Sequence, residues 1–133
     1  MNGAPCATRP SILVVEDHRS LRLSIVTWLQ FRFPESLVQG VESGEEALAH
    51  ACSANPDVVL MDINLPGIDG LEATCRMKAQ APKTAVVILT THDTPHHRLA
   101  AAQAGAAGYI AKRDMETLLE ATVECLLQSR ARS

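Results

Sequence analysis

PDVVLMDINLPG, residues Pro56 to Gly67, is the stretch that decides the fold. Val58-Val59-Leu60-Met61 is a short apolar run, closed by Asp62 and then by Pro66-Gly67. Its apolar residues are consecutive rather than alternating. Both faces of such a strand should be buried, as in a parallel sheet covered by helices. Ile12-Leu13-Val14-Val15 and Ala85-Val86-Val87-Ile88-Leu89 repeat the pattern. Ser36–Val41 and Gly108–Ala111 are weaker strand candidates.

Helical patterns fill the intervals. Ser20–Phe33 carries Leu21, Ile25, Trp28 and Leu29 at helical spacing and stops at Pro34. Ser43-Gly44-Glu45-Glu46 reads as a capping box, with Glu46 reaching back. An apolar stripe of Ala47, Leu48, Ala51 and Cys52 follows and ends at Asn55-Pro56. Gly70–Gln80 is a third helix, with Asp69 as its N-cap. Thr94-Pro95 opens a fourth, closed by Gly105. Met115–Gln128 is the last, with Met115, Leu118, Leu119, Val123 and Leu126 read on one face. Strict β-α alternation implies an α/β fold, a five-stranded parallel doubly wound sheet with five helices and right-handed crossovers. An eight-stranded barrel needs about 250 residues.

The chain has 133 residues, one domain's worth, and is 47% hydrophobic. That length supports a core without a disulfide or metal staple. Twelve Lys+Arg against 15 Asp+Glu give a net charge of −3, which argues against a nucleic-acid-binding domain. Aromatic residues make up 3%, too few for a base-stacking or carbohydrate-binding face. No run has the length of a membrane-spanning helix. Cys6, Cys52, Cys75 and Cys125 have neither CxxC nor zinc-ligand spacing. They are read as core or half-buried thiols, suited to a reducing cytoplasm. Residues 1–10 have no hydrophobic region of a secretory signal and read as a flexible arm. Residues 11–129 form the domain, and 130–133 a tail or the start of a linker.

In open α/β sheets, functional groups lie just past the carboxyl ends of the strands. Glu16-Asp17, Asp62, Thr90 and Lys112 each end or follow one of these strands. Parallel pairing puts them at one edge. Glu16-Asp17 alone would read as a helix start, and Lys112 alone as a solvated lysine; together they read as a site. Three carboxylates repel one another, and a hard cation such as Mg²⁺, which takes oxygen ligands, relieves that repulsion. Lys112 and Thr90 then suit a phosphoryl group, and a carboxylate can itself carry one as an aspartyl phosphate. Asp62 is the natural acceptor. Asp57 precedes its strand and should lie on the opposite edge, roughly 16 Å away at ~3.3 Å per residue. His92 and His96 are four apart, but Pro95 starts a helix between them, which disfavours a transition-metal site. Arg98, Arg130 and Arg132 read as ordinary solvated charges.

These residues carry a family resemblance. ILVVEDH (Ile12–His18), PDVVLMDINLPGIDGLEA (Pro56–Ala73), VVILTTHD (Val86–Asp93) and AGAAGYIAK (Ala104–Lys112) resemble the receiver domain of bacterial two-component response regulators, most closely the NarL/LuxR type. The likeness covers about residues 11–128 and implies a flavodoxin-like sheet of order 2-1-3-4-5. It implies that Glu16, Asp17, Asp62 and the Asn64 backbone carbonyl hold Mg²⁺, and that Asp62 is the phosphoacceptor. Thr90 and Lys112 contact the phosphoryl group. Thr90 and Tyr109 form the switch, and Asn64 and His92 tune dephosphorylation. Two departures stand out. Arg113 replaces a common proline after the lysine, so no cis bond is expected there. Thr91 replaces a common alanine and is expected to crowd the acceptor.

The implied activity is a signalling switch that takes a phosphoryl group from a sensor histidine kinase. It catalyses its own phosphorylation and dephosphorylation and is no metabolic enzyme. The face of the fourth helix, fifth strand and fifth helix is expected to dock a partner or a second copy in a homodimer. No contact with nucleic acid or membrane is expected through this domain. A DNA-binding domain commonly follows such receivers, and none is read before Ser133; an excised receiver and a single-domain regulator both fit. A phosphorylation-independent interaction module is the alternative, disfavoured by the intact set of site residues. A dinucleotide-binding enzyme is disfavoured because Glu16-Asp17 replaces a Gly-rich phosphate loop.

Overall fold

The computed structural model describes residues 9–131. The elements are β1 (Ser11–Val15), α1 (Arg19–Arg32), β2 (Leu37–Val41), α2 (Gly44–Ala54), β3 (Val58–Asp62) and α3 (Gly70–Gln80). Then come β4 (Ala85–Thr90), α4 (Pro95–Ala104), β5 (Gly108–Ala111), a 3₁₀ turn (Lys112–Asp114) and α5 (Met115–Ala131). The five strands are parallel, in order β2-β1-β3-β4-β5. This is the doubly wound sheet that the alternation of patterns predicts. Most of the arm expected over residues 1–10, together with Cys6 and Arg132, lies outside the described residues.

Side chains alternate across the sheet with period two, and this splits the core in two. Ile12, Val14, Val58, Leu60, Val87, Leu89 and Ile110 face α1 and α5, meeting Ile25, Leu29, Leu119 and Val123. Leu13, Val15, Val59, Met61, Val86 and Ile88 face α2, α3 and α4. Those three helices present mainly small residues, Ala47, Ala51, Ala73 and Ala101, with Met77 filling the gap. Consecutive apolar residues in β1, β3 and β4 are thus consumed by two helical layers. No helix among the described residues is long and apolar enough to cross a membrane.

The helix ends follow their local chemistry. Ser43 Oγ accepts from Glu46 N at 3.1 Å, Asp69 Oδ1 from Glu72 N at 2.8 Å, and Thr94 Oγ1 from His97 N at 3.1 Å. Glu46 does reach back, but to the amide of Glu42 rather than to that of Ser43. Gly105 closes α4 at φ 100°, the left-handed region glycine favours. Helix α1 begins at Arg19, one residue before the expected start.

Three expectations fail. Cys52, Cys75 and Cys125 are exposed, not buried, because the buried stripes of α2, α3 and α5 pass beside them. Leu118 is 46% exposed. The inner face of α5 is Leu119 and Val123, about 100° around the helix from it. Arg130 is no free charge: its Nε lies 2.7 Å from Asp57 Oδ1 and ties the end of α5 to the amino edge of the sheet.

Candidate functional site

The carboxyl edge of the sheet gathers residues far apart in sequence. Val15 pairs with Met61, Asp62 with Leu89, and Thr90 with Ala111. The next residues in β1 and β5 are Glu16 and Lys112, so both strand ends emerge level with Asp62 and Thr90. Glu16, Asp62 and Thr90 are buried, while Lys112 is partly exposed. Asp57 lies at the other edge, as expected. It accepts from Ser11 N at 2.8 Å and from Arg130.

Lys112 Nζ sits between the two buried carboxylates, 2.9 Å from Glu16 Oε1 and 3.4 Å from Asp62 Oδ2. The second Glu16 oxygen accepts from His18 N at 3.1 Å. Burial favours the neutral form of Glu16, but hydrogen bonds from Lys112 and His18 together outweigh it and hold its carboxyl below the usual value. Asp62 is different. Burial, and then the negative charge of Glu16, push its carboxyl above the usual value, and Lys112 only partly opposes them. Asp62 Oδ1 has one backbone donor, Asn64 N, at 3.4 Å.

Asp17 and Asn64 are exposed at the rim. The side chain of Asp17 pairs with His18 Nδ1 at 3.6 Å. Among the described residues, Glu16, Asp17 and His18 form the group of possible ligands whose donor atoms lie within 4.8 Å of one another. Asp62 lies outside that group; the set of Glu16, Asp17 and Asp62 has the donor chemistry that a hard divalent cation takes. Its donors are carboxylate oxygens, and Glu16 already raises Asp62, a repulsion that a cation relieves. His92 of the β4–α4 loop and His96 and His97 of the first turn of α4 do not form such a group. His92 stacks on His97 at 6.0 Å, and His96 meets His97 edge-on at 5.8 Å.

Close backbone approach fixes the floor of the site. Gly70 N donates to Ile63 O at 2.8 Å, and a Cβ on Gly70 would stand 2.0 Å from the carbonyl oxygen of Asp62. Only glycine lets α3 begin there.

Thr90 Oγ1 accepts from His92 N at 3.0 Å, and Tyr109 Oη donates to His92 O at 2.8 Å. Thr91 is exposed. There is no cis peptide among the described residues, Lys112–Arg113 included. Arg98 is exposed, as expected, but it has partners. Its guanidinium carbon stands 4.7 Å from the Tyr109 ring centroid, and its Nε donates to Asp93 Oδ1 at 2.7 Å. Arg113 also pairs with Asp93, at 3.0 Å. This Asp93–Arg98–Arg113 cluster was not legible in the sequence, where a five-residue Asp–Arg spacing across a helix start has no periodicity to mark it.

Comparison with known proteins agrees with this geometry. Residues 12–123 match the family model "Response regulator receiver domain". The chain is 43% identical over 101 residues to the response regulator GacA of Pseudomonas syringae pv. syringae, covering 76% of this chain and 47% of that protein. It superimposes with TM-score 0.81 on a LuxR-family two-component response regulator from an Aurantimonas species, at 30% identity over 91% of this chain and 87% of that one. A receiver domain described as BeF3-activated DrrB gives TM-score 0.82 at 27% identity, over 91% and 99% of the two chains. The chain spans about half the length of the curated relatives it matches.

Proposed function

The chain belongs to the receiver domain family of two-component response regulators, and on that premise we propose that Asp62 is its phosphoacceptor. The observation that carries this reading is Lys112 Nζ, held between the buried carboxylates of Glu16 and Asp62 at the carboxyl edge of the sheet. Receiver domains use Mg²⁺. Glu16, Asp17, Asp62 and the backbone carbonyl of Asn64 would hold it here. When bound, the ion offsets charge on the transferring phosphoryl group.

The donor is a phosphohistidine of a sensor kinase. A carboxylate oxygen of Asp62 attacks phosphorus, the P–N bond breaks, and its electron pair returns to the imidazole nitrogen, which then takes a proton. Lys112 stabilises the added negative charge as a point charge, and the Thr90 hydroxyl as a donor. Hydrolysis follows when water attacks phosphorus: the P–O bond to Asp62 breaks, its electron pair returns to the carboxylate, and inorganic phosphate leaves with the water's oxygen. Asn64, two residues after Asp62, and His92, two residues after Thr90, are both exposed, and in this reading they tune the access of that water. The new charge biases Thr90 and Tyr109 and reshapes the α4–β5–α5 face, where a partner or a second copy docks. Residues 11–129 form the receiver unit, and the domain acts in the cytoplasm as part of a DNA-binding transcriptional regulator. Support for that last reading is the relatives named as transcriptional regulators.

Intact-protein mass spectrometry after incubation with acetyl phosphate tests the reading. A Mg²⁺-dependent gain of one phosphoryl group is expected. A folded chain that gains none with Mg²⁺ present would favour an interaction module that keeps the fold without the chemistry.

A further inference from the structure

We propose that Arg22 is a positioning residue for the cation site: it holds the peptide that carries Asp17 and so sets the preference of the site for Mg²⁺ over Ca²⁺. The proposal rests on the reading that Glu16, Asp17 and Asp62 hold the ion.

Two of those three carboxylates are fixed where the sheet ends. Asp62 closes β3. Glu16 is buried, with Lys112 Nζ 2.9 Å from one of its oxygens and the His18 amide 3.1 Å from the other. Asp17 is one residue further on and exposed. Its place depends on the peptide that joins it to Glu16. The backbone of Glu16 is held on both sides. Glu16 N donates to Val41 O at 3.1 Å, which continues the pairing of β1 with β2. Glu16 O accepts from Arg22 Nη1 at 2.8 Å. That oxygen belongs to the planar Glu16–Asp17 peptide, so the bond fixes the plane from which Asp17 departs.

The sheet makes room for this arm. Val38 of β2 packs with Ile25 and Leu29 of α1, and Gly40, two residues on, shares that face of the strand. A Cβ on Gly40 would stand 3.0 Å from Arg22 Cγ and 3.1 Å from its Cδ. The Arg22 stem thus fills the space of a side chain that β2 lacks, and this directs the guanidinium to the end of β1.

A fixed Asp17 matters for the choice of ion. Mg²⁺ demands near-ideal octahedral geometry at short distances, whereas Ca²⁺ accepts longer and less regular shells. A site that lets one carboxylate drift therefore loses Mg²⁺ affinity more than Ca²⁺ affinity. Removing the Arg22 charge strengthens the attraction of either ion alike, because both are divalent. The ratio of the two dissociation constants reports the hold and not the charge.

Mg²⁺ and Ca²⁺ are titrated separately into the ¹⁵N-labelled chain at fixed ionic strength, and amide shifts give the two dissociation constants. Arg22→Met keeps a stem over Gly40 and removes the donor. Its preference for Mg²⁺ over Ca²⁺ should fall about tenfold, the low end for losing a group that orients metal ligands. Arg19→Met removes an exposed arginine from the first turn of the same helix and should keep the wild-type ratio. Should Arg22→Met fail to fold, Gly40→Val decides by the same ratio, since its side chain takes the space of the stem while the arginine charge remains. A wild-type ratio in the folded variant, or an equal fall in Arg19→Met, overturns the proposal. If the wild type binds Mg²⁺ more tightly than Asp17→Asn does, yet the Arg22 variant keeps the wild-type ratio, the role of Arg22 alone fails. If the wild type binds no Mg²⁺, or binds it no better than Asp17→Asn, the reading of the cation site fails and the role of Arg22 with it.

Discussion

Lys112 Nζ lies 2.9 Å from Glu16 Oε1, a bond across 96 residues that joins the two ends of the domain at its site. The same ammonium is the cation nearest Asp62. Replacing it leaves two buried carboxylates facing each other. In metal-free buffer Lys112→Ala should lose about 3 kcal/mol of stability, the scale for breaking a buried pair by removing one partner. Urea unfolding measures the loss, and added Mg²⁺ should recover part of it.

Asp62→Asn should have the opposite sign. The folded-state pKa of Asp62 is raised above its ordinary 3.8. A raised value means that stability is fully present below the unfolded pKa and is lost as pH rises through the folded one. At neutral pH the ionised carboxylate therefore costs stability, and Asp62→Asn should be more stable than the wild type without metal. The gap should close as the solution is acidified and Asp62 is protonated. Glu16 runs the other way. Its pKa is held below 4.5, so its contribution is present above that value and is lost as pH falls through the lowered one. Mg²⁺ should stabilise the wild type more than Asp62→Asn, by mass action on the folded state.

Gly70→Ala tests the floor of the site. The new Cβ would meet the carbonyl oxygen of Asp62, which is backbone and has no rotamer to yield with. A loss of about 3 kcal/mol is expected, with slower labelling by acetyl phosphate as the end of β3 shifts. Wild-type stability and rate in this variant would show that α3 has room to retreat.

Caps should be worth less than the site contacts. Ser43→Ala and Asp69→Ala each remove one side-chain acceptor from a helix start. Each should cost about 1 kcal/mol in urea unfolding, with the rate of phosphorylation unchanged for Ser43→Ala.

The strands and their edge were legible because their signals are local. Val58–Met61 is a run of apolar residues ending in a carboxylate, and parallel pairing carries Glu16, Thr90 and Lys112 to the same edge whatever lies between. Ser43, Asp69 and Thr94 were readable because a cap needs a short oxygen-bearing side chain three residues ahead of the amide it accepts. What sequence reading missed depends on rotation and on long side chains. Leu118 and Cys52 sit one helical step away from the buried stripe, which apolarity alone does not resolve. Arg98 and Arg130 look like any solvated arginine until tertiary packing brings Tyr109 and Asp57 within reach.

The most direct measurement of the central claim locates the phosphoryl group. The chain is incubated with acetyl phosphate and Mg²⁺, the acyl phosphate is reduced with borohydride, and the peptides are sequenced by mass spectrometry. The account predicts one reduced residue, Asp62, and none in Asp62→Asn. Labelling at Asp17 or Asp57 in the wild type, or persistent labelling of Asp62→Asn at another residue, would contradict it.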